Sequence, residues 1–173
     1  GPIEVINVHK AESPNYLFID LAISPEIKSE YNFEMGFSKG NQDTVIKFPI
    51  YARENSKNKF QGFNQSDVMY LIMADRFCDG NLANNKIGDS LDQFTAKDLN
   101  GRKGGDIEGI TSKLDYLKDL GVTSIWITPM LENNMYMSYH GYAATDLYRI
   151  DPRFGSNELY RELVNQAHDK GLK

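Results

Sequence analysis

The sequence predicts two kinds of structure in one chain. Residues 1–52 read as part of an all-β sandwich, and residues 67–173 as the opening strand–helix units of a parallel α/β fold. Three observations carry this reading. Apolar and polar residues alternate with a period of two before residue 52. A continuous apolar run at Val68–Met73 and a second buried-strand pattern at Val122–Thr128 follow residue 66. Apolar residues at helical spacing then follow each of those runs.

In chain order, Tyr16–Ile23 is rich in β-branched and aromatic residues and reads as a strand. Tyr31, Phe33, Met35 and Phe37 alternate with polar or small residues, which marks a half-buried strand. Lys39–Asp43 is a turn signal, and Ile46, Phe48 and Ile50 alternate again, so the pair forms a hairpin. Pro49 lacks an amide hydrogen and suits an edge strand. So few strands cannot close a sandwich, and they read as its later part. Residues 53–66 are polar and aperiodic, as a linker is.

From residue 67 the order is strand, loop, helix, strand, loop, helix. Val68–Met73 predicts a strand buried on both faces, followed by a long loop rich in Asp, Asn and Gly. Ile107, Ile110, Leu114 and Leu117 predict one helix, closed by Gly121. Val122–Thr128 predicts a second buried strand, stopped by Pro129. Ser156 caps a helix carrying Leu159, Leu163, Val164 and Ala167, which ends at Gly171. A third strand is expected to begin at Leu172–Lys173. Periodicity alone leaves a barrel and a doubly wound sheet equally open.

Composition narrows the function classes. Of the 173 residues, 40% are hydrophobic and 25% charged, as in ordinary globular domains. A net charge of -5 argues against a polyanion, so no nucleic-acid partner is expected. No apolar run reaches the roughly 18 residues that span a membrane. The single cysteine, Cys78, cannot form an internal disulfide. No charged and then apolar leader is visible at Gly1–Glu4. Nucleotide-cradling, serine-hydrolase and zinc-binding signatures are missing from the sequence.

Three constellations could carry chemistry. Asp79, Asn81, Asn84 and Asn85 place oxygens at i, i+2, i+5 and i+6 around Gly80, and Gly104–Asp106 could add a carbonyl and a carboxylate. Calcium takes six to eight such hard ligands. The bland alternative is a solvated turn with Asp106 capping a helix. Ser138–Tyr142 sets aromatic rings around His140 after a strand, which suits either a sugar-stacking face or simple loop packing. Met130, Met135 and Met137 read as gap-filling apolar contacts. Asp146 and Asp151 show no spacing that pairs them across a cleft, and read as loop-stabilising residues.

Five segments, in order, carry a family resemblance: Val68–Phe77, Gly104–Ile110, Leu114–Pro129, Tyr139–Tyr142 and Asp146–Gly155. Residues 67–173 closely resemble the start of the catalytic domain of the α-amylase family, glycoside hydrolase family 13. With the β region before them, they look most like its neopullulanase and cyclomaltodextrinase branch. The resemblance implies a (β/α)8 TIM barrel, of which these residues would supply the first two units. It implies retaining hydrolysis of α-1,4 or α-1,6 glucosidic bonds in an α-glucan oligosaccharide or polysaccharide. It implies a structural calcium ion (Ca2+) held by Asp79, Asn81, Asn84, Asn85, Gly105 and Asp106. Asp79, Asn81 and Asn85 depart from the branch's usual Asn/Asp order, which redistributes charge but keeps the oxygens.

The resemblance also makes His140 and Tyr142 substrate-binding residues at the sugar whose bond is cut. The family's catalytic carboxylates lie on later strands, outside these 173 residues, so this stretch alone is expected to be inactive. A homodimer through the β region is a further implication, and a secreted or periplasmic home suits the role. The competing reading is a non-catalytic carbohydrate-binding or dimerisation module.

Overall fold

A computed structural model describes residues 1–13, 15–52 and 62–173. They divide into two units, Gly1–Phe60 and Gln61–Lys173. Most of the expected linker, residues 53–61, lies outside the described residues.

The first unit contains two antiparallel ribbons. Strands β1 (Ile3–Lys10) and β2 (Leu17–Ile23) pair from Ile3↔Ile23 to Lys10↔Leu17, with a bulge between Val5 and Asn7. Strands β3 (Tyr31–Lys39) and β4 (Gln42–Ile50) form the expected hairpin, in register from Tyr31↔Ile50 to Lys39↔Gln42. Only Gly40 and Asn41 separate the last pair, and Gly40 takes the positive φ of 61° that such a tight turn favours. Phe33, Met35 and Phe37 are half-buried while their alternating neighbours are exposed, so the period-two signal translated directly. Val8, Phe18, Val45 and Phe48 remain exposed on the ribbons.

The second unit is built around a parallel pair, β5 (Met69–Ile72) and β6 (Ser124–Ile127), in register from Met69↔Ser124 to Ile72↔Ile127. The expectation of burial on both faces holds on one face only. Tyr70, Ile72, Ile125 and Ile127 face the helical core, whereas Met69, Leu71 and Trp126 on the other face are exposed. The reason is coverage: among the described residues the helices pack against a single side of the pair.

The expected single helix is two short ones, α2 (Ile107–Thr111) and α3 (Leu114–Asp119). The break has a local cause. Thr111 Oγ1 donates to Ile107 O and Ser112 Oγ to Gly109 O, each at 2.7 Å. These hydroxyls compete with the backbone ladder, and Lys113 N closes on Ile110 O in a tighter turn. The apolar face survives the break: Ile107, Ile110, Leu114 and Leu117 are all fully buried. Each contributes about 1.5–3 kcal/mol of burial free energy. Helix α4 (Asn157–Asp169) packs against α2 and buries Leu163 and Ala167. Its start is the expected cap, with Ser156 Oγ accepting from Leu159 N at 3.2 Å.

The strand starts are tied together. Thr123 Oγ1 donates to Asp67 Oδ1, and Lys173 Nζ donates to Asp67 Oδ2 at 2.8 Å and to Gly62 O at 3.0 Å. The Lys173 bond most of all, then those from Asn64 N and Thr123 Oγ1, hold the Asp67 carboxyl down to about 2. Lys173 also accepts from Ile125 N and donates to Thr123 O, as a residue entering a parallel strand beside β6 would. Both loops that carry candidate chemistry therefore leave the opposite, C-terminal ends of β5 and β6.

Candidate functional site

The loop after β5 folds into one turn of helix, α1 (Ala74–Phe77), and then returns along the N-terminus of α2. Asp106 organises this return. It is fully buried and accepts four hydrogen bonds: Gly80 N and Gly109 N on Oδ1, Asn81 N and Asn84 Nδ2 on Oδ2. The bond from Gly109 N makes it the N-cap of α2, as the bland reading held. The other three draw the Gly80–Asn84 segment onto the same carboxylate.

The remaining predicted ligand residues gather around it. Asn85 Nδ2 donates to Asp79 Oδ2 at 2.7 Å. Asn81 Oδ1 accepts from Ala83 N while its amide donates to Glu108 Oε2. Asp79 Oδ1, Asn84 Oδ1 and Asn85 Oδ1 are buried without a hydrogen-bond partner among the described residues. Buried acceptors left in this state cost about 1–3 kcal/mol each, so three on one short loop require an explanation. Between the two glycines, Gly104 is the one against the cluster. A Cβ there would sit 2.3 Å from Asn85 Oδ1 and 2.6 Å from Asp79 Oδ2, and its φ of +87° favours glycine independently. Gly105 instead approaches the backbone of Ala74 and Asp75. No group of three His, Cys, Asp or Glu placed to hold a metal ion is found among the described residues; the set on this loop has two carboxylates and otherwise amides and carbonyls.

The loop after β6 carries the second constellation. Ser138–His140 form one 3-10 turn, fixed to the interior by Ser138. Ser138 N donates to Asp92 Oδ2 at 3.0 Å, and Ser138 Oγ to Asn133 O at 2.6 Å. Gly141 then lies so close to the end of β6 that a Cβ would meet Pro129 O at 1.8 Å. These restraints bring His140 and Tyr142 together. Their rings stack with centroids 5.9 Å apart and planes 28° apart, and His140 Nδ1 accepts from Tyr142 N at 2.9 Å. That bond requires an unprotonated Nδ1, so a neutral ring carries its proton on Nε2 and has one donor to offer. Tyr142 is 64% exposed, which leaves a ring face open for stacking.

The two other carboxylates are structural, as expected. Asp146 Oδ1 accepts from Tyr148 N in a local turn. Asp151 is fully buried and held in a fork by Arg153, Nε to Oδ1 at 2.9 Å and Nη2 to Oδ2 at 2.7 Å. Burial pushes its pKa up, but Arg153 and Arg102 outweigh this and hold it below the usual carboxylate value. Met130 is buried as a gap-filler, while Met135 and Met137 are exposed.

Arg76 was not singled out from the sequence. Its Nη1 donates to Asp75 Oδ2 and Gly101 O, its Nη2 to Leu99 O, and its guanidinium lies 4.0 Å from the centre of the Tyr139 ring. An Asp–Arg pair directly after a buried strand is the signal that could have flagged it.

Comparison with known proteins decides the family. The α-amylase catalytic-domain family model matches residues 71–173, well over half of the chain. This chain belongs to the α-amylase family. The family's cyclomaltodextrinase N-terminal model matches residues 2–54, the unit with the two ribbons. A cyclomaltodextrin glucanotransferase from Bacillus sp. (strain 1-1) is 37% identical over 137 residues, 75% of this chain and 19% of that protein. Among solved α-amylase-family structures, the cyclomaltodextrin glucanotransferase CldA is 36% identical, with a TM-score of 0.59 over 64% of this chain and 24% of its own. The α-amylase of Geobacillus thermoleovorans, solved in complex with acarbose, is 39% identical, with a TM-score of 0.53 over 63% of this chain and 22% of its own. The chain therefore spans about a quarter or less of these relatives. Among the described residues, no helix is long and apolar enough to cross a membrane.

Proposed function

We propose that residues 62–173 form the opening of the catalytic barrel of a retaining α-glucan-acting enzyme, in which His140 and Tyr142 bind the sugar whose bond is cut. The observation that carries this reading is the stacked His140–Tyr142 pair at the C-terminal end of β6, the end where barrel enzymes keep their sites. Tyr142 offers its exposed ring face to a pyranose, and His140 offers Nε2–H to a hydroxyl. The hydrolytic chemistry, double displacement through a glycosyl-enzyme intermediate, belongs to carboxylates outside these residues. The acarbose complex of one relative and the cyclomaltodextrin names of others support an α-glucan as the substrate class.

A calcium ion fits the loop after β5. Asp79, Asn84 and Asn85, whose three buried oxygens lack a partner, and the Gly104–Gly105 backbone would hold it; Asn81 and Asp106 would join by giving up N–H groups they now accept. Bound there, the ion supplies positive charge that ties the loop to the start of α2, not reaction chemistry.

The test is to incubate the complete enzyme that contains these residues with maltohexaose and follow the products by 1H NMR. The expected first product is the α-anomer. A β-anomer, or no turnover of linear or cyclic α-glucans, rejects the proposal.

A further inference from the structure

We propose that Arg76 is a positioning residue that sets the orientation of the His140–Tyr142 pair through the ring of Tyr139. The inference rests on the reading of that pair as the sugar-binding site.

Arg76 is fixed before it meets Tyr139. Nη1 donates to Asp75 Oδ2 at 2.8 Å and to Gly101 O at 2.7 Å, and Nη2 donates to Leu99 O at 3.0 Å. Asp75 is itself buried and accepts from Lys103 N at 2.9 Å. The guanidinium plane is therefore held by both α1 and the segment at residues 99–103. Its free face lies 4.0 Å from the Tyr139 ring centre, within the range of a cation–π contact.

The contact continues to the site in two steps. Tyr139 meets His140 edge to face, with centroids 5.6 Å apart and planes at 70°. His140 then stacks on Tyr142 and accepts its backbone N–H. Tyr142 is largely exposed and has little else around its ring to fix it. The direction of His140 Nε2–H thus depends on where Tyr139 stands, and Tyr139 stands against Arg76. Lysine cannot substitute, because a point charge on a flexible stem supplies neither the planar stack nor the fork of donors.

The test is a double-mutant cycle in the complete enzyme. Arg76→Lys alone should lower kcat/KM about tenfold, mostly through kcat, because a misaimed donor costs most in the transition state. In a His140→Ala background, Arg76→Lys should cost less than about twofold more, the non-additivity expected of residues acting through one another. Tyr139→Leu removes the transmitting ring, leaves the hydrogen bonds of Arg76 in place and should show the same non-additivity. It also carries the test if Arg76→Lys fails to fold. Independent losses that multiply, or no loss in either single variant, overturn the proposal. If His140→Ala leaves turnover unchanged, the sugar-binding reading fails on its own, and the positioning claim is judged by NMR. The His140 ring signal, assigned by its loss in His140→Ala, should move in Arg76→Lys, and an unmoved signal refutes the claim.

Discussion

Replacing Asp106 with alanine should destabilise the second unit strongly. The carboxylate accepts from Gly80 N, Asn81 N, Asn84 Nδ2 and Gly109 N. The first two donors lie on a partly exposed loop and can recover water. Asn84 Nδ2 and Gly109 N are bonded in buried surroundings and cannot. Two stranded buried donors at about 1–3 kcal/mol each predict a loss of about 4 kcal/mol. With a urea m-value of about 2 kcal/mol per molar, the midpoint should fall by about 2 M. The assay is equilibrium urea unfolding followed by circular dichroism, with calcium and with chelator. A loss below about 1 kcal/mol would mean that Asp106 is an ordinary surface cap, and that it does not hold the loop.

Three further outcomes follow from the same geometry. Calcium should raise the thermal midpoint of the protein relative to chelator, and Asp106→Ala should abolish the difference; equal melting of the unmutated protein in both conditions removes calcium from the account. Ser156→Ala should cost about 1 kcal/mol in chemical denaturation by removing the cap of α4, and a neutral result would show that packing alone fixes the helix start. Asp67 has a pKa lowered to about 2, so its ionised form is favoured in the fold. Its contribution is full above the unfolded value of about 3.9 and is lost as pH falls through 2. Asp67→Asn should therefore flatten the fall in stability across that window, and an unchanged pH profile would contradict the Asp67–Lys173 tie.

Much of this arrangement was legible in the sequence because the signals were local. The β3–β4 hairpin followed from alternation plus a glycine turn, and the start of α4 from Ser156. The ligand-like spacing from Asp79 to Asn85 was equally visible, and the structure gathers those residues around Asp106. The misses depend on what packs against what. Apolar spacing predicted one helix through Leu117, but two hydroxyl side chains at Thr111 and Ser112 bend the backbone without disturbing the apolar face. A continuous apolar run could not show that Met69 and Leu71 lie on a face the described helices leave open. The close approach of Gly104 to Asn85 and Asp79 is a tertiary feature that no spacing reveals. Arg76 meets Tyr139 across 63 positions of sequence, so only the fold could join them.

The most direct test of the central claim is to compare Tyr142→Ala with the unmutated complete enzyme, measuring kcat/KM on maltohexaose and the thermal midpoint together. Tyr142 is 64% exposed and, among the described residues, meets the His140 ring and donates its backbone N–H to it, so the fold should tolerate its loss. The expected result is a fall in kcat/KM of about a hundredfold, the scale of losing a positioning contact at the reacting sugar, with the midpoint nearly unchanged. A collapse of the midpoint with activity per folded molecule preserved would show that Tyr142 packs the loop and does not bind the sugar.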